Sequence, residues 1–224
     1  MKPVDLYLFG YNAIQVVGWG SILLKTVFGL FDGLSYKQIY NTVEWELQVF
    51  QTAAILEIVH AVMGIVKSPI ATVVTQVFSR VFVVWCILNK VPSSRDSIGV
   101  PMLLVAWSIT EVVRYSFYAL NLLNAVPHFL VWCRYTFFIA LYPLGASGEV
   151  ITMLAALNEI SRKKHYTIEM PNAVNMGFSF YHVVIALALY YLPGFPPMYT
   201  HMFNQRKKVL GGGDKNKKSR LIVC

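Results

Sequence analysis

The segment Trp132–Glu149, WCRYTFFIALYPLGASGE, combines a long apolar run with side chains that ionise or transfer protons. Arg134, Tyr142 and Glu149 all fall within it. An ionisable group at membrane depth is energetically costly and by default marks a functional site. We therefore predict that Tyr142 and Glu149 take part in chemistry.

The spacing of Tyr142 and Glu149 sets a geometric condition on that chemistry. Seven residues of α-helix turn about 700° and rise about 10.5 Å, so both side chains would face the same way, two turns apart. They would then be too far apart to touch adjacent carbon atoms unless the backbone bends, and Pro143 and Gly145 permit a bend. From spacing alone, an interfacial tyrosine and a helix-end carboxylate are the commoner explanation of such a pair.

The composition is that of a polytopic membrane protein. Of the 224 residues, 56% are hydrophobic and 13% are charged, whereas a soluble domain carries about 25% charged residues. The net charge is +8, but seven basic residues and only one acidic residue lie in residues 206–224. Because a basic block beside a last span is typical of a cytoplasmic tail near anionic headgroups, we expect membrane lipid and not nucleic acid as a partner. We predict a transmembrane region at residues 1–205 and a basic, disordered cytoplasmic tail at residues 206–224.

Apolar stretches long enough to cross a bilayer recur along the chain, since a span needs about twenty mostly apolar residues. We predict an all-α membrane helix bundle with about six transmembrane helices and both termini on one side. The positive-inside rule does not fit this topology cleanly, because Arg162, Lys163 and Lys164 would then lie in a luminal loop. The predicted spans are Leu6–Phe31, Trp45–Val66, Pro69–Leu88, Ile98–Leu122, a fifth opening at Pro127 and continuing through the YPLG bend toward Leu157, and Ala173–Leu192.

Two pairs of polar residues inside these spans are spaced for contact on one helix face. Glu57 and His60 are three residues apart, as are Glu111 and Arg114. Residues at this spacing on a helix are neighbours. The structural interpretation is that each pair neutralises its own charge and holds the bundle together.

Two arginines inside the predicted spans, Arg80 and Arg134, have no acidic residue at helical spacing. Each has three possible roles: an ion pair across helices, an extended side chain that reaches the headgroups, or contact with an anionic substrate. The sequence leaves these alternatives open.

Several chemistries are not indicated by any motif. The five histidines form no HxxxH or HxxH pair, which argues against a histidine-box di-iron oxygenase. The sequence has no GxGxxG or GxxxxGK[ST] motif for nucleotide phosphates and no GxSxG nucleophile elbow. The three cysteines form no CxxC pair and no disulfide framework.

Four segments resemble a known family in order and spacing: EIVHAVMGIVKSP, TQVFSR, WSITEVVRYSFYAL and RYTFFIALYPLGASGE. They resemble the 3-hydroxyacyl-CoA dehydratases of the endoplasmic reticulum, once named protein tyrosine phosphatase-like. The resemblance covers roughly residues 7–195, and its ExxRYxFY and LYPxGxxxE patterns are specific when taken together. Phosphatase chemistry is excluded, because the stretch HAVMGIVK has Ala61 and Lys67 where a phosphatase needs its cysteine and arginine.

The resemblance implies the third step of very-long-chain fatty acid elongation, in which a 3-hydroxyacyl-CoA loses water to give a trans-2-enoyl-CoA. The family's catalytic tyrosine and glutamate fall on Tyr142 and Glu149. One group must take the α-proton and another must protonate the β-hydroxyl, each contributing roughly 10²–10⁴-fold. We assign Glu149 as the base and Tyr142 as the acid or oxyanion donor. The reverse division stays open, as does a mechanism in which Glu149 fills both proton roles and Tyr142 orients the thioester.

The resemblance also implies the setting of the reaction. The acyl chain would lie inside the bundle, the polyanionic coenzyme A at its cytoplasmic mouth, and no metal or redox cofactor is required. Arg134 and Arg114 are candidates for orienting coenzyme A or the active-site tyrosine, with Glu111 and Tyr115 supporting the site. The expected location is the endoplasmic reticulum membrane, and the expected partners are the other enzymes of the elongation cycle.

Two alternatives come from other functional classes. The first is a catalytically inactive membrane scaffold or regulator of the elongation complex, which would be expected to lose Tyr142 or Glu149. The second is a transporter, for which broken helices in paired halves are expected. Only the YPLG bend resembles such a break.

Overall fold

The computed structural model describes residues 2–66, 69–171 and 175–210 of the chain. Within these ranges the protein is helical, and the only extended pairing is an isolated bridge between Ile168 and Phe178. In chain order the elements are α1 (Pro3–Phe31), α2 (Tyr36–Ala53), α3 (Ile55–Val62), α4 (Ile70–Phe82), a π-helical segment (Val83–Leu88), a 3₁₀ helix (Pro92–Asp96), α5 (Gly99–Leu122), α6 (His128–Arg134), α7 (Phe138–Lys163) and α8 (Phe180–Leu210).

This architecture confirms the prediction of an all-α membrane protein. Three helices, α1, α7 and α8, are long and apolar enough to cross a membrane, and Thr72–Leu88 forms a shorter apolar stretch. The count of six membrane spans is not established by these helices and stays a prediction. The predicted boundary between the transmembrane region and the tail at residue 205 also stays a prediction. Helix α8 runs through that position to Leu210, and residues 211–224 lie outside the described part of the chain.

Helices α1 and α2 form an antiparallel hairpin. The chain turns at Gly33, whose φ of +68° falls in the region that favours glycine. Ser35 then caps α2: its hydroxyl accepts from the Gln38 N–H at 3.3 Å, and the Gln38 side chain accepts from the Ser35 N–H at 2.9 Å. This reciprocal capping box satisfies two backbone donors that would otherwise be unpaired at the helix start.

Contacts along the hairpin show that α3 continues the direction of α2. Near the turn, Lys25 pairs with Glu46 at 2.7 Å. At the other end, the Tyr7 hydroxyl lies 3.0 Å from the His60 ring nitrogen. The second predicted span, Trp45–Val66, is therefore realised as two helical pieces that meet at Ala54 and together run back along α1.

The 3₁₀ helix is attached to the π-helical segment and to α2 by one arginine. Arg95 donates to the backbone carbonyls of Leu88 at 2.7 Å and Asn89 at 3.0 Å. It also pairs with Glu44 at 3.0 Å and lies over the Tyr40 ring, 4.8 Å from its centroid. Because a helix end leaves carbonyls without intrahelical donors, Arg95 supplies the missing hydrogen bonds there.

Helices α5 and α7 approach each other at two glycines. A Cβ atom on Gly148 would lie 2.8 Å from the Leu103 nitrogen and 2.9 Å from the Gly99 oxygen. A Cβ atom on Gly99 would in turn lie 2.5 Å from the Gly148 oxygen. Small residues let membrane helices pack backbone to backbone, and here they bring Glu149 against α5.

Pro143 lies inside α7, and the helix continues through it from Phe138 to Lys163. The interruption expected at the YPLG sequence lies earlier, at residues 135–137, where the chain turns between α6 and α7. Proline has no N–H to donate to the carbonyl four residues before it. That carbonyl belongs to Ile139, and it accepts instead from the Tyr199 hydroxyl of α8 at 3.0 Å.

Two groups of buried apolar side chains form the core. The larger joins α1, α2, the π-helical segment and α5 around Trp19, Tyr40 and Trp107. The smaller joins the π-helical segment, α7 and the start of α8 around Ile87, Met153 and Phe180. The predicted catalytic residues Tyr142 and Glu149 lie on α7, which packs against both α5 and α8.

Candidate active site

Glu149 is almost fully buried, with 7% of its surface exposed. One carboxylate oxygen, Oε1, accepts from the Trp107 indole Nε1–H at 2.9 Å. The other, Oε2, accepts from the Tyr191 hydroxyl. Both oxygens are therefore held by uncharged donors, one from α5 and one from α8.

The packing of the helices explains why these three side chains meet. Gly148, one residue before Glu149, allows the close approach of α5 that brings Trp107 within hydrogen-bond distance. Gly145, one turn earlier, faces the same helix but less tightly, since a Cβ there would be in ordinary van der Waals contact with the Ala106 Cβ at 3.4 Å. The carboxylate is consequently fixed by backbone packing as well as by its own hydrogen bonds.

Tyr142 lies on the same helix but in a different environment. Its ring is half-buried and stacks on Phe195 and Tyr199 of α8, with centroids 4.8 and 5.9 Å away. Among the described hydrogen bonds of Glu149, the tyrosine is Tyr191 and not Tyr142. The Tyr142 ring thus packs against α8 without a described hydrogen bond to the predicted catalytic carboxylate.

A second buried carboxylate, Glu111, organises a network of charges beside the site. It is 1% exposed and pairs with Arg80 of α4 and with Arg114 at 2.7 Å. Arg114 also pairs with Glu57 of α3 at 2.7 Å. Tyr115 donates to the same Glu57 carboxylate. The predicted Glu111–Arg114 pair is present, as one part of a network that joins three helices.

The expected local pair between Glu57 and His60 is not formed. Glu57 contacts Arg114 and Tyr115 of α5, whereas His60 hydrogen-bonds Tyr7 of α1 and meets its ring edge-on. Both residues do hold helices together, as the structural interpretation proposed, but their partners lie on neighbouring helices.

Arg80 connects the charged network to the Glu149 site. Its guanidinium pairs with Glu111 and lies 5.5 Å from the centroid of the Trp107 ring. The N–H of the same indole donates to Glu149. Of the three roles open from the sequence, the structure shows an ion pair across helices together with a cation–π contact.

Arg134 lies at the end of α6 among aromatic rings. Its guanidinium is 4.4 Å from the Phe117 ring centroid and 4.7 Å from that of Tyr118, and it donates to the Tyr118 hydroxyl at 3.2 Å. Arg134 therefore contacts the end of α5. It is not among the described donors to Glu149, which are Trp107 and Tyr191.

A small polar cavity of about 20 Å³ lies between α1, α2, α4 and α5. Four buried atoms of its lining residues have no described hydrogen-bond partner: Trp19 Nε1, Gln51 Oε1, Arg114 Nε and Glu111 Oε2, the last of which has an ion pair with Arg114. This volume admits about one water molecule. Its lining residues are Trp19, Gln51, Ala54, Gln76, Val77, Arg80, Glu111, Arg114 and Tyr115.

The donors around Glu149 suit hydrogen bonding and proton transfer. An indole N–H donates only, and a neutral phenol is a hydroxyl donor or acceptor.

Within residues 2–66, 69–171 and 175–210, no group of three or more histidine, cysteine, aspartate or glutamate side chains is placed to hold a metal ion.

The family model described as protein tyrosine phosphatase-like protein, PTPLA, matches residues 51–212, more than two thirds of the chain. The chain belongs to this family. A Caenorhabditis elegans relative named very-long-chain (3R)-3-hydroxyacyl-CoA dehydratase hpo-8 is 57% identical over 96% of this chain and 99% of its own length. The human very-long-chain (3R)-3-hydroxyacyl-CoA dehydratase 2 is 41% identical over 95% of this chain and 84% of its own. The Arabidopsis thaliana very-long-chain (3R)-3-hydroxyacyl-CoA dehydratase PASTICCINO 2 is 39% identical over 92% of this chain and 93% of its own length. No solved structure matches the chain.

The PTPLA match includes the whole environment of Glu149, with Trp107, Tyr142 and Tyr191. Sequence reasoning missed two of these four. Trp107 precedes Glu111 by four residues, a spacing that places both on one face of α5 and is a usable signal. The sequence has no comparable signal for Tyr191. Its neighbour Tyr190 is also a tyrosine, and only the packing of α8 decides that Tyr191 is the one that contacts Glu149.

Proposed function

We propose that this PTPLA protein dehydrates a very-long-chain (3R)-3-hydroxyacyl-CoA to the trans-2-enoyl-CoA, the third step of the fatty acid elongation cycle. Relatives that carry this activity in their names match nearly the whole chain at 57% and 41% identity. The observation that carries the proposal is Glu149, a carboxylate buried in an apolar bundle and hydrogen-bonded by two neutral groups. A carboxylate in that setting is suited to take a proton from carbon.

In the proposed reaction, a Glu149 oxygen takes the proton from the carbon beside the thioester. The electrons of that C–H bond form the new double bond, and the bond between the β-carbon and its hydroxyl breaks. Tyr142 gives its proton to the departing hydroxide, which leaves as water. A proton then passes from Glu149 to the Tyr142 phenolate, which restores both groups.

The position of Tyr142 supports its role as the second group. Its ring is held between α7 and α8 by stacking on Phe195 and Tyr199, and its hydroxyl is not used to hold Glu149. The two catalytic groups thus approach the substrate from different positions along α7. The alternative assignment, in which Glu149 carries both protons and Tyr142 orients the thioester, uses the same geometry.

The supporting arginines are proposed to divide their roles. Arg114 is held by two carboxylates, Glu111 and Glu57, so it stabilises the bundle around the site. Arg134 lies on aromatic rings at the end of α6, and we assign it to the anionic coenzyme A head. The acyl chain would extend into the apolar surroundings of α7 and α8.

The proposed location is the endoplasmic reticulum membrane, with the basic tail in the cytoplasm and the other elongation enzymes as partners. The supporting observations are the apolar helices α1, α7 and α8, the concentration of basic residues after residue 205, and the named activity of the relatives. Basic residues favour the cytoplasmic side of a membrane protein.

Conversion of long-chain 3-hydroxyacyl-CoA to enoyl-CoA by the purified protein in detergent tests the proposal. We expect turnover by the wild type and a loss of about 10²-fold or more in both Glu149→Gln and Tyr142→Phe. Tyr190→Phe is the matched control, since it removes a phenol hydroxyl from a side chain that is 63% exposed. Turnover that survives both site variants would reject this site, and absence of wild-type turnover at every chain length would favour the scaffold alternative.

A further inference from the structure

We infer that Tyr191 is a positioning residue for the reaction, holding the Glu149 carboxylate in the orientation from which it takes the substrate proton. The inference rests on the proposed function. Its basis is that the Tyr191 hydroxyl donates to Oε2 of Glu149 while the Trp107 N–H donates to Oε1. With one donor on each oxygen, the plane of the carboxylate is fixed between α5 and α8.

The placement of Tyr191 on α8 differs from that of its neighbours. Tyr190 and Leu192 are 63% and 72% exposed, as expected for side chains that face lipid. Tyr191 is partly buried and packs with the smaller core group beside α7. Its hydroxyl donates to the Glu149 carboxylate, and a buried phenol usually has such a hydrogen-bond partner.

Orientation matters because a general base must present a lone pair along the direction of the C–H bond that it breaks. A glutamate side chain has three rotatable bonds, so a carboxylate held at only one oxygen would sample several directions. The hydrogen bond from Tyr191 to Oε2 removes this freedom. Each carboxylate oxygen still keeps a lone pair that can accept the substrate proton. The charge-assisted hydrogen bond is stronger than one between neutral groups, which makes the constraint effective.

Tyr191 also joins the catalytic carboxylate to the helix that carries the rings around Tyr142. Phe195 and Tyr199, which stack on Tyr142, follow Tyr191 by one and two turns on α8. A single helix thus holds the proposed acid by stacking and the proposed base by a hydrogen bond. Movement of α8 would misplace both groups together.

The test is steady-state kinetics of Tyr191→Phe beside Tyr190→Phe in the full-length protein. Phenylalanine keeps the ring and its packing and removes only the hydroxyl. Because Tyr191 contacts the base and not the substrate, we expect kcat to fall about tenfold or more with KM unchanged. We also expect a larger kinetic isotope effect with substrate deuterated at the α-carbon, since proton abstraction becomes the slower step. Tyr190→Phe should match the wild type in all three quantities.

Three outcomes would overturn the inference. The first is a Tyr191→Phe variant that matches Tyr190→Phe, and the second is a rise in KM with kcat unchanged. The third is a loss of turnover that parallels a loss of folded protein, with no change in the isotope effect of the remaining enzyme. Glu149→Gln distinguishes a failure of the proposed active site from a failure of the role of Tyr191. If Glu149→Gln stays active, the proposed active site is rejected. If Glu149→Gln is inactive and Tyr191→Phe is normal, only the role of Tyr191 is rejected.

Discussion

Glu149 and Glu111 are both nearly fully buried, but their hydrogen-bond partners differ in charge. Glu111 is paired with two arginines, Arg80 and Arg114, whereas the described donors to Glu149 are an indole and a phenol. The ion pairs of Glu111 join α4 and α5 and anchor the surrounding helices. The neutral donors of Glu149 leave its carboxylate without a described ion pair. This difference supports the proposal that Glu111 is structural and Glu149 is catalytic.

Removing the charge of Glu111 tests its role as an anchor. In Glu111→Gln, the partly buried guanidinium groups of Arg80 and Arg114 lose a shared buried counter-charge, so we expect a loss of about 3 kcal/mol in the free energy of unfolding. Denaturant titration in detergent measures this loss. The control is Lys163→Gln, which breaks an ion pair at a side chain that is 63% exposed and should change stability by less than about 1 kcal/mol. Equal stability of the two variants would contradict the role of Glu111.

Residue-level sequence reasoning succeeded where partners lie on one helix. The Glu111–Arg114 pair follows from a spacing of three residues, and the structure confirms it. The same rule was wrong for Glu57 and His60, because each has a stronger partner on a neighbouring helix. Spacing describes one helix at a time, whereas contacts across helices depend on how the bundle packs.

Among the helices, the pairing of α5 with α7 depends on glycine. Substituting Gly148 with alanine would place a Cβ 2.8 Å from the Leu103 nitrogen, which forces the helices apart. We expect Gly148→Ala to lose about 1–3 kcal/mol of stability and to reduce turnover, because Glu149 would move away from Trp107. Thermal unfolding and the dehydration assay measure the two effects.

Gly20→Ala on α1 is the matched control for Gly148→Ala. A Cβ at Gly20 would meet no atom within 4 Å, and alanine favours a helix over glycine by about 1 kcal/mol. This variant should therefore be as stable as the wild type or slightly more stable, with full turnover. A Gly148→Ala protein that behaves in the same way would show that the close approach of α5 and α7 is not required.

The sequence predicted the positions of the helices better than their interruptions. The π-helical segment ends at Leu88 and α5 ends at Leu122, as the hydrophobic pattern predicted. The interruption expected at the YPLG sequence lies earlier, at residues 135–137, and α7 stays helical through Pro143. There the Tyr199 hydroxyl satisfies the Ile139 carbonyl that the proline leaves unpaired. That donor comes from α8, more than fifty residues away, and no local pattern indicates it.

On the scale of the whole molecule, one end of the bundle holds the start of α1 and the end of α8. Tyr11 of α1 packs edge-on against Tyr115 of α5, with centroids 6.1 Å apart. Beyond them, Arg134 of α6 donates to Tyr118, and the last turns of α8 lie against the start of α7. The turn at residues 32–35 and the 3₁₀ helix lie at the opposite end, where the Ser93 N–H donates to Glu159 near the end of α7. The last turn of α8 therefore lies at the same end of the bundle as the start of α1.

Cysteine labelling in sealed microsomal vesicles tests that sidedness and, with it, the side from which coenzyme A must enter. Lys2 and Glu169 are exposed and lie at opposite ends of the bundle, so one cysteine is placed at each position in a Cys224→Ser background. With a membrane-impermeant maleimide, we expect Lys2→Cys to react in sealed vesicles and Glu169→Cys to react only after permeabilisation. The remaining cysteines, Cys86 and Cys133, are half-buried and buried, and the Cys224→Ser protein alone controls for their reaction. The reverse pattern would place the start of the chain in the lumen, and Arg134 at the end of α6 could not then meet a cytoplasmic acyl-CoA.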